Sequence, residues 1–84
     1  MGTLCDVPTL LRHLGYRVYI TSHDAGEPPH VHVDLQGASA KFWLKPVRLA
    51  YTIGYSAREL RAVERLVLEH ETMFLRGWHD YFGT

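Results

Sequence analysis

His30-Val31-His32-Val33-Asp34-Leu35-Gln36-Gly37-Ala38-Ser39-Ala40-Lys41-Phe42-Trp43-Leu44 alternates apolar and polar residues on both sides of a Gln-Gly pair. Strict alternation marks a half-buried strand. A two-residue loop with Gly second fits a primed hairpin turn. The pattern therefore predicts two antiparallel strands in one register. Leu35 faces Ala38, Val33 faces Ala40 and Val31 faces Phe42. On the other face Asp34 meets Ser39, His32 meets Lys41 and His30 meets Trp43. A slip of one residue would turn every apolar side chain to the wrong face.

Outward from this hairpin, Tyr16-Arg17-Val18-Tyr19-Ile20-Thr21 is β-branched, aromatic and alternating, and reads as a preceding strand. Ser22 to Pro29 is loop by composition. Pro8 to Leu14 reads as a short helix or turn, broken by Gly15. Lys45-Pro46 interrupts the strand after Leu44, and Val47-Arg48-Leu49 resumes as a short edge strand, since Pro cannot donate to a central ladder. Ser56-Ala57-Arg58-Glu59 is a capping box, with Tyr55 and Leu60 placed for a hydrophobic staple. Leu60, Val63, Val67, Phe74 and Trp78 then recur at helical spacing, with Leu66 and Met73 beside them. One helix from Ala57 to Tyr81 is expected, on the order of 35 Å long. Its charged side, Arg58, Arg61, Arg65, Glu69 and Arg76, reads as a solvated face. Gly77 either kinks the helix or admits a close neighbour. The fold class is α+β in two layers. A three- to four-stranded antiparallel sheet carries one long C-terminal helix on one face and a short N-terminal helix or turn, in an αβββα-like order.

Composition bounds this reading. The chain has 84 residues, with 9 Lys plus Arg against 9 Asp plus Glu and no net charge. A chain of this size is one domain, 1–84, with Met1 to Val7 expected to be loosely held. It buries roughly 60–65% of its unfolded surface. Neutrality argues against a broad polyanion-binding surface and leaves room only for a local patch. Cys5 is the single cysteine, so no internal disulfide forms, which suits a reducing compartment. With no basic start followed by an apolar run, no signal peptide is expected. No stretch is long enough for a membrane span. The expectation is a cytoplasmic protein.

Six histidines are roughly threefold ordinary usage. His70 falls on the apolar stripe of the helix and is expected to be partly buried and hydrogen-bonded. His13 and His79 read as surface residues or caps. The alternation separates two sheet faces. Val18, Ile20, Val31, Val33, Leu35, Ala40, Phe42 and Leu44 take the helix. Arg17, Tyr19, Thr21, His30, His32, Asp34, Ser39, Lys41 and Trp43 share the opposite face, where function is expected. Three chemistries compete there. His30 and His32 lie about 6–7 Å apart on one strand face, a spacing for two metal ligands. His23 or Asp34 is then the third, and zinc or another divalent transition metal the ion. Acid–base work on an RNA phosphodiester would use His30 and His32 as catalytic residues, supported by Lys41, Arg17 and Tyr19. A cation beside an imidazole favours the neutral ring that acts as a base. Binding alone would use Trp43, Tyr19, Asp34 and Ser39, the aromatics stacking on bases or docking a protein. A half-exposed sheet with ordinary polar residues is the plain alternative to all three.

Glu27-Pro28-Pro29-His30-Val31-His32-Val33 resembles the PPH-x-H-V signature of the small bacterial family called domain of unknown function 4160. The similarity runs outward through Pro8-Thr9-Leu10, Tyr16 to His23, Ala40 to Leu44 with Pro46-Val47, Ala57-Arg58-Glu59-Leu60 and Trp78-His79. The resemblance implies a toxin–antitoxin association and a neighbouring partner of the domain of unknown function 2442 family. It implies no catalytic residue. The αβββα order also looks like the double-stranded-RNA-binding-like fold of HicA-type mRNA interferases, by analogy of fold alone.

The first reading is thus a small component of a toxin–antitoxin-like module, binding a partner protein and acting on or binding RNA. The alternative is a non-enzymatic interaction module without a cofactor. The third is a metal-binding protein using His23, His30 and His32. An exposed sheet edge and an aromatic C-terminus also admit a homodimer.

Overall fold

Gln36 and Gly37 take positive φ of 44° and 87°, the pair of left-handed residues that a primed turn needs. Gly meets that need without a Cβ penalty. The register on either side is the one the alternation requires, from Leu35 opposite Ala38 to His30 opposite Trp43. The structure, a computed structural model, describes residues 8–84; Cys5 and the Met1–Val7 segment lie outside them.

Among these residues five strands form a single antiparallel meander in the order β1 (Thr9–His13), β2 (Tyr16–Tyr19), β3 (His30–Leu35), β4 (Ala38–Leu44) and β5 (Val47–Ile53). Two helices follow, α1 (Ala57–Glu69) and α2 (Glu71–Phe82), α1 over β4 and β5 and α2 over β3 and β4. The α+β class and the two layers stand, and three points of the expected layout change.

First, Pro8–Leu14 holds an edge strand instead of a helix or turn. Thr9 pairs with Tyr19 but Leu11 with Val18, so Leu10 is an extra residue in a β-bulge. Leu10 and Leu11 both pack against the core, and two consecutive inward leucines hide the period of two. Leu14 and Gly15, with φ of 53° and 87°, close this hairpin with a second primed turn. The αβββα order, and with it the analogy to HicA-type interferases, therefore does not hold. Second, the strand after Pro46 runs on to Ile53. It too is bulged: Lys41 faces Tyr51 while Phe42 faces Leu49, leaving Ala50 over. Third, the long helix is two. His70, at φ −115° and ψ 19°, separates α1 from α2. Its ring nitrogen Nδ1 bonds the Leu66 carbonyl at 2.9 Å, while its backbone N–H is shared between the Leu66 and Val67 carbonyls at 3.2 Å. A side chain inserted into the ladder bends a helix without Pro or Gly.

The capping box forms as expected. Ser56 Oγ accepts the Glu59 N–H at 3.1 Å, and Glu59 Oε1 accepts the Ser56 N–H at 2.8 Å. Val18, Ile20, Val31, Val33, Ala40, Phe42 and Leu44 from the sheet meet Val63, Leu66, Val67, Phe74 and Trp78 from the helices in one core. Leu35 is half-buried, and Met73 is exposed instead of inward. Gly77 faces Leu10: a Cβ there would stand 2.8 Å from Leu10 Cδ2, so the glycine admits the bulged leucine under α2. No helix among the described residues is long and apolar enough to cross a membrane.

Candidate functional site

The site starts with Thr21-Ser22-His23-Asp24. Ser22–Asp24 is one 3₁₀ turn, and the Asp24 carboxylate folds back so that Oδ2 accepts the Thr21 N–H at 2.9 Å. This brings a buried carboxylate under the start of β3. His30 Nε2 lies 3.1 Å from Asp24 Oδ1, and His32 Nε2 lies 3.1 Å from Asp24 Oδ2. The side chain of His30 is fully buried; those of Asp24 and His32 are 11% and 14% exposed. Pro28 and Pro29 stiffen the approach to the strand. The Pro28 carbonyl accepts a hydrogen bond from His30 Nδ1 at 2.9 Å. His30 thus carries its proton on Nδ1, because a carbonyl only accepts. Nε2 lies close to Asp24 Oδ1 but without an aligned hydrogen bond, and is buried without a hydrogen-bond partner among the described residues.

His30 does not lie on an open surface as the alternation suggests. Its ring is 5.0 Å from that of Trp78 and 5.4 Å from that of Trp43, so α2 closes over it. His32 stacks on Tyr19 with ring centres 5.2 Å apart. The Arg17 guanidinium lies 4.4 Å from the Tyr19 ring centre, and its Nε donates to Thr9 Oγ1. Lys41 pairs with Glu27 Oε1 at 2.8 Å and lies 4.6 Å from the Trp43 ring centre. The Lys41 cation expected to act on His32 is therefore met by a loop carboxylate. Asp34 accepts from Tyr19 Oη at 3.0 Å and Ser39 Oγ at 2.7 Å, which occupies both of its oxygens.

Burial works against the charged form of Asp24. The Thr21 N–H bond and the nearness of His30 and His32 outweigh it, and the carboxyl is held below its usual range. Glu27 is lowered by its bond to Lys41. The Tyr19 phenol is pushed up to about 12 by burial and by its bond to the Asp34 carboxylate, with Arg17 opposing.

Of the expected residues, the fold brings His30 and His32 together. The third member is Asp24, not His23, which is exposed, nor Asp34, which is engaged elsewhere. Ligand atoms of Asp24, His30 and His32 all lie within 4.8 Å of one another. The spacing Thr21-x-x-Asp24 was the available signal, since it is a capping pattern that turns a carboxylate back onto its own turn. Elsewhere His70 is half-buried and bonded, as expected, and His13 and His79 are on the surface, His79 bonding Thr84.

No curated protein and no solved structure matches the chain. A family model does, over residues 15–79. That span takes in four strands, the Asp24–His32 segment and nearly all of both helices. The chain belongs to the family described as Domain of unknown function (DUF4160).

Proposed function

We propose that this protein is the partner-binding component of a toxin–antitoxin-like module, and that it holds a second protein along β5. The observation that carries the reading is the state of that edge. Leu49, Tyr51 and Ile53 are 42%, 47% and 64% exposed on an outermost strand with no neighbour on its outer side among the described residues. The bulge at Ala50 sends Leu49 to the helix side and Tyr51 and Ile53 to the open side, so the edge offers apolar contact on both faces. An extended segment of a partner with alternating apolar side chains would extend the sheet by a strand, its main chain giving affinity and its side chains register. A partner of the domain of unknown function 2442 family is the first to test, from what the family resemblance implies.

The open face gives this reading precedence over RNA chemistry. Arg17, Tyr19, Lys41 and Asp34 are engaged with one another or with neighbours, leaving few free cations for phosphates. RNA binding is the second reading, favoured by the shallow groove that Trp43 forms with Lys45 and Arg48 beside Pro28, Pro29 and Pro46. An aromatic face flanked by two cations suits a stacked base and its phosphate.

The test is co-expression with the product of the adjacent reading frame. Co-purification is expected for the native chain and for His32→Gln, and its loss for Tyr51→Lys with Ile53→Lys, since lysine blunts an edge. Retention by the double lysine variant overturns the β5 reading. Arrest of growth on induction without the neighbour, relieved by Lys45→Glu with Arg48→Glu, would favour RNA instead.

A further inference from the structure

At the central strand of the sheet, the chain carries chemistry that strand addition does not use. Asp24, His30 and His32 converge from the 3₁₀ turn and from β3, and His30 is where their arrangement is incomplete. Its Nδ1–H is spent on the Pro28 carbonyl, with Glu27 Oε1 also within 3.7 Å. Its Nε2 then presents a lone pair to Asp24 Oδ1 across 3.1 Å, in a fully buried position with no hydrogen-bond partner among the described residues. A lone pair facing a carboxylate oxygen at that distance is repulsive unless a cation lies between them. A buried polar atom left in this state needs an explanation.

We propose that Asp24, His30 and His32 form a binding site for a divalent transition-metal ion such as zinc. Both histidines turn Nε2 to the carboxylate; that of His32 is hydrogen-bonded to it through a proton that a metal would displace. Asp24 Oδ1 lies 3.1 Å from His30 Nε2 and 3.3 Å from His32 Nε2, and the edge of a tetrahedron with metal–ligand bonds of about 2.0–2.1 Å is roughly 3.3 Å. The two imidazole rings stand at 88° to each other with centres 5.2 Å apart, so they approach the shared point from different directions. Two nitrogens and one oxygen suit zinc and its first-row neighbours. Magnesium and calcium, which prefer oxygen ligands throughout, are poorly served.

The outer contacts fit the same reading. A metal-bound histidine nearly always donates its other N–H to a carbonyl or carboxylate, which fixes the ring and its tautomer. His30 does so to Pro28, with Glu27 behind. The Asp24 carboxylate is anchored by the Thr21 N–H, and the His32 ring is held against Tyr19. Three donors are thus positioned in advance. The Glu27-Pro28-Pro29-His30-Val31-His32 run supplies two ligands and their outer partners in one stretch.

The experiment uses full-length, tag-free protein in a Cys5→Ser background, so that the thiol does not compete. Metal-stripped protein is titrated with zinc chloride by calorimetry and with cobalt(II) by visible spectroscopy. One equivalent of zinc is expected, with a rise in Tm and cobalt bands of a low-coordinate site; magnesium should give neither. Asp24→Asn and His32→Gln should each weaken zinc by more than tenfold, since even outer-shell changes cost roughly 10–100-fold. His23→Asn, on an exposed histidine outside the cluster, should leave affinity unchanged. Circular dichroism of the apo variants separates lost ligation from lost folding. His32→Gln, at the more exposed ligand, remains informative where Asp24→Asn unfolds. Absence of zinc binding by the Cys5→Ser parent overturns the proposal, as does binding that folded His32→Gln retains in full. Either result leaves a proton as the cation between His30 and Asp24.

Discussion

β1 and β5 both close the sheet with a strand carrying one extra residue, Leu10 in the first and Ala50 in the second. Thereafter they diverge. Leu10 is drawn under α2 where Gly77 has no side chain, and the end of β1 carries the exposed polar residues Arg12 and His13. β5 is two residues longer, and Leu49, Tyr51 and Ile53 stay exposed. A bulge and charged residues are common protections of a free edge. β1 combines them with the burial of its extra leucine under α2, whereas β5, although α1 packs over it, keeps three large apolar side chains exposed beside its bulge and Arg48. The same local device thus yields a closed edge where a helix accommodates the extra residue and an available one where none does.

The largest effects should come from removing that accommodation. Leu10→Ala is expected to cost about 2 kcal/mol, at the lower end for a leucine truncation because the side chain is only half-buried. Gly77→Leu places side-chain atoms where Leu10 stands. Overpacking costs about 1–3 kcal/mol, partly offset by about 1 kcal/mol from removing glycine from a helix interior. Placed together, the two substitutions should cost clearly less than the sum of their separate effects, because the added leucine fills the space vacated. Urea melts of the four proteins measure this. Additivity within about 0.5 kcal/mol would show that β1 is not held by this contact.

β5 is fastened at its end. The Tyr55 hydroxyl donates to the Val33 carbonyl at 3.0 Å, two strands in. Tyr55→Phe should cost about 1 kcal/mol without affecting β1. The same phenol gives the comparison a pH dependence. Burial, with Tyr16 and Asp34 nearby, raises Tyr55 from 10.0 to about 12. A group whose folded value is raised contributes stability in full below its unfolded value and loses it as pH rises through the folded one. Stability should therefore fall between pH 10 and about 12. The fall should be shallower in Tyr55→Phe and in Tyr19→Phe, since Tyr19 shares the shift. Equal slopes in all three would remove both phenols from the account.

A smaller effect of opposite sign is expected at the β1–β2 turn. Leu14 is 81% exposed and sits at φ 53°, in the left-handed region that branched side chains avoid. Leu14→Asn keeps the turn with a residue that tolerates this conformation. It should raise stability by roughly 0.5–1 kcal/mol, within the usual gain for relieving a backbone mismatch. A lower Tm would mean that Leu14 makes a contact worth more than its strain.

The two edges also mark where sequence reading succeeds. The β3–β4 hairpin was legible rung by rung because apolar alternation and turn chemistry agree over Val31, Val33, Gly37, Ala40 and Phe42. The Ser56–Glu59 cap was legible because it is local. β1 was not, because its bulge sets Leu10 and Leu11 side by side on the core face, which imitates a helical pattern. At β5, Lys45-Pro46 pointed to the edge position, but the bulge at Ala50 hid its length. The break at His70 depends on a ring nitrogen reaching Leu66, which composition does not reveal. At the site, His30 and His32 followed from the period of two. Asp24 did not, because its place is set by a single turn folding back onto the strand. The burial of His30 depends on Trp78, some fifty positions away in the chain.

The smallest effect on stability should come from the most exposed apolar residue of β5. Ile53 is the last residue of the strand, 64% exposed and opposite Ser39. It buries little in the isolated chain, so Ile53→Lys should change stability by less than about 0.5 kcal/mol, the usual range for a surface substitution away from special features. The lysine should still weaken capture of the partner, because a charge at that position must be desolvated when a strand is added beside it. A near-silent melt together with lost co-purification is the signature of an edge kept for contact. A loss of 2 kcal/mol or more would instead assign Ile53 to the fold. β5 would then be a closed edge like β1, and the contrast between the two would disappear.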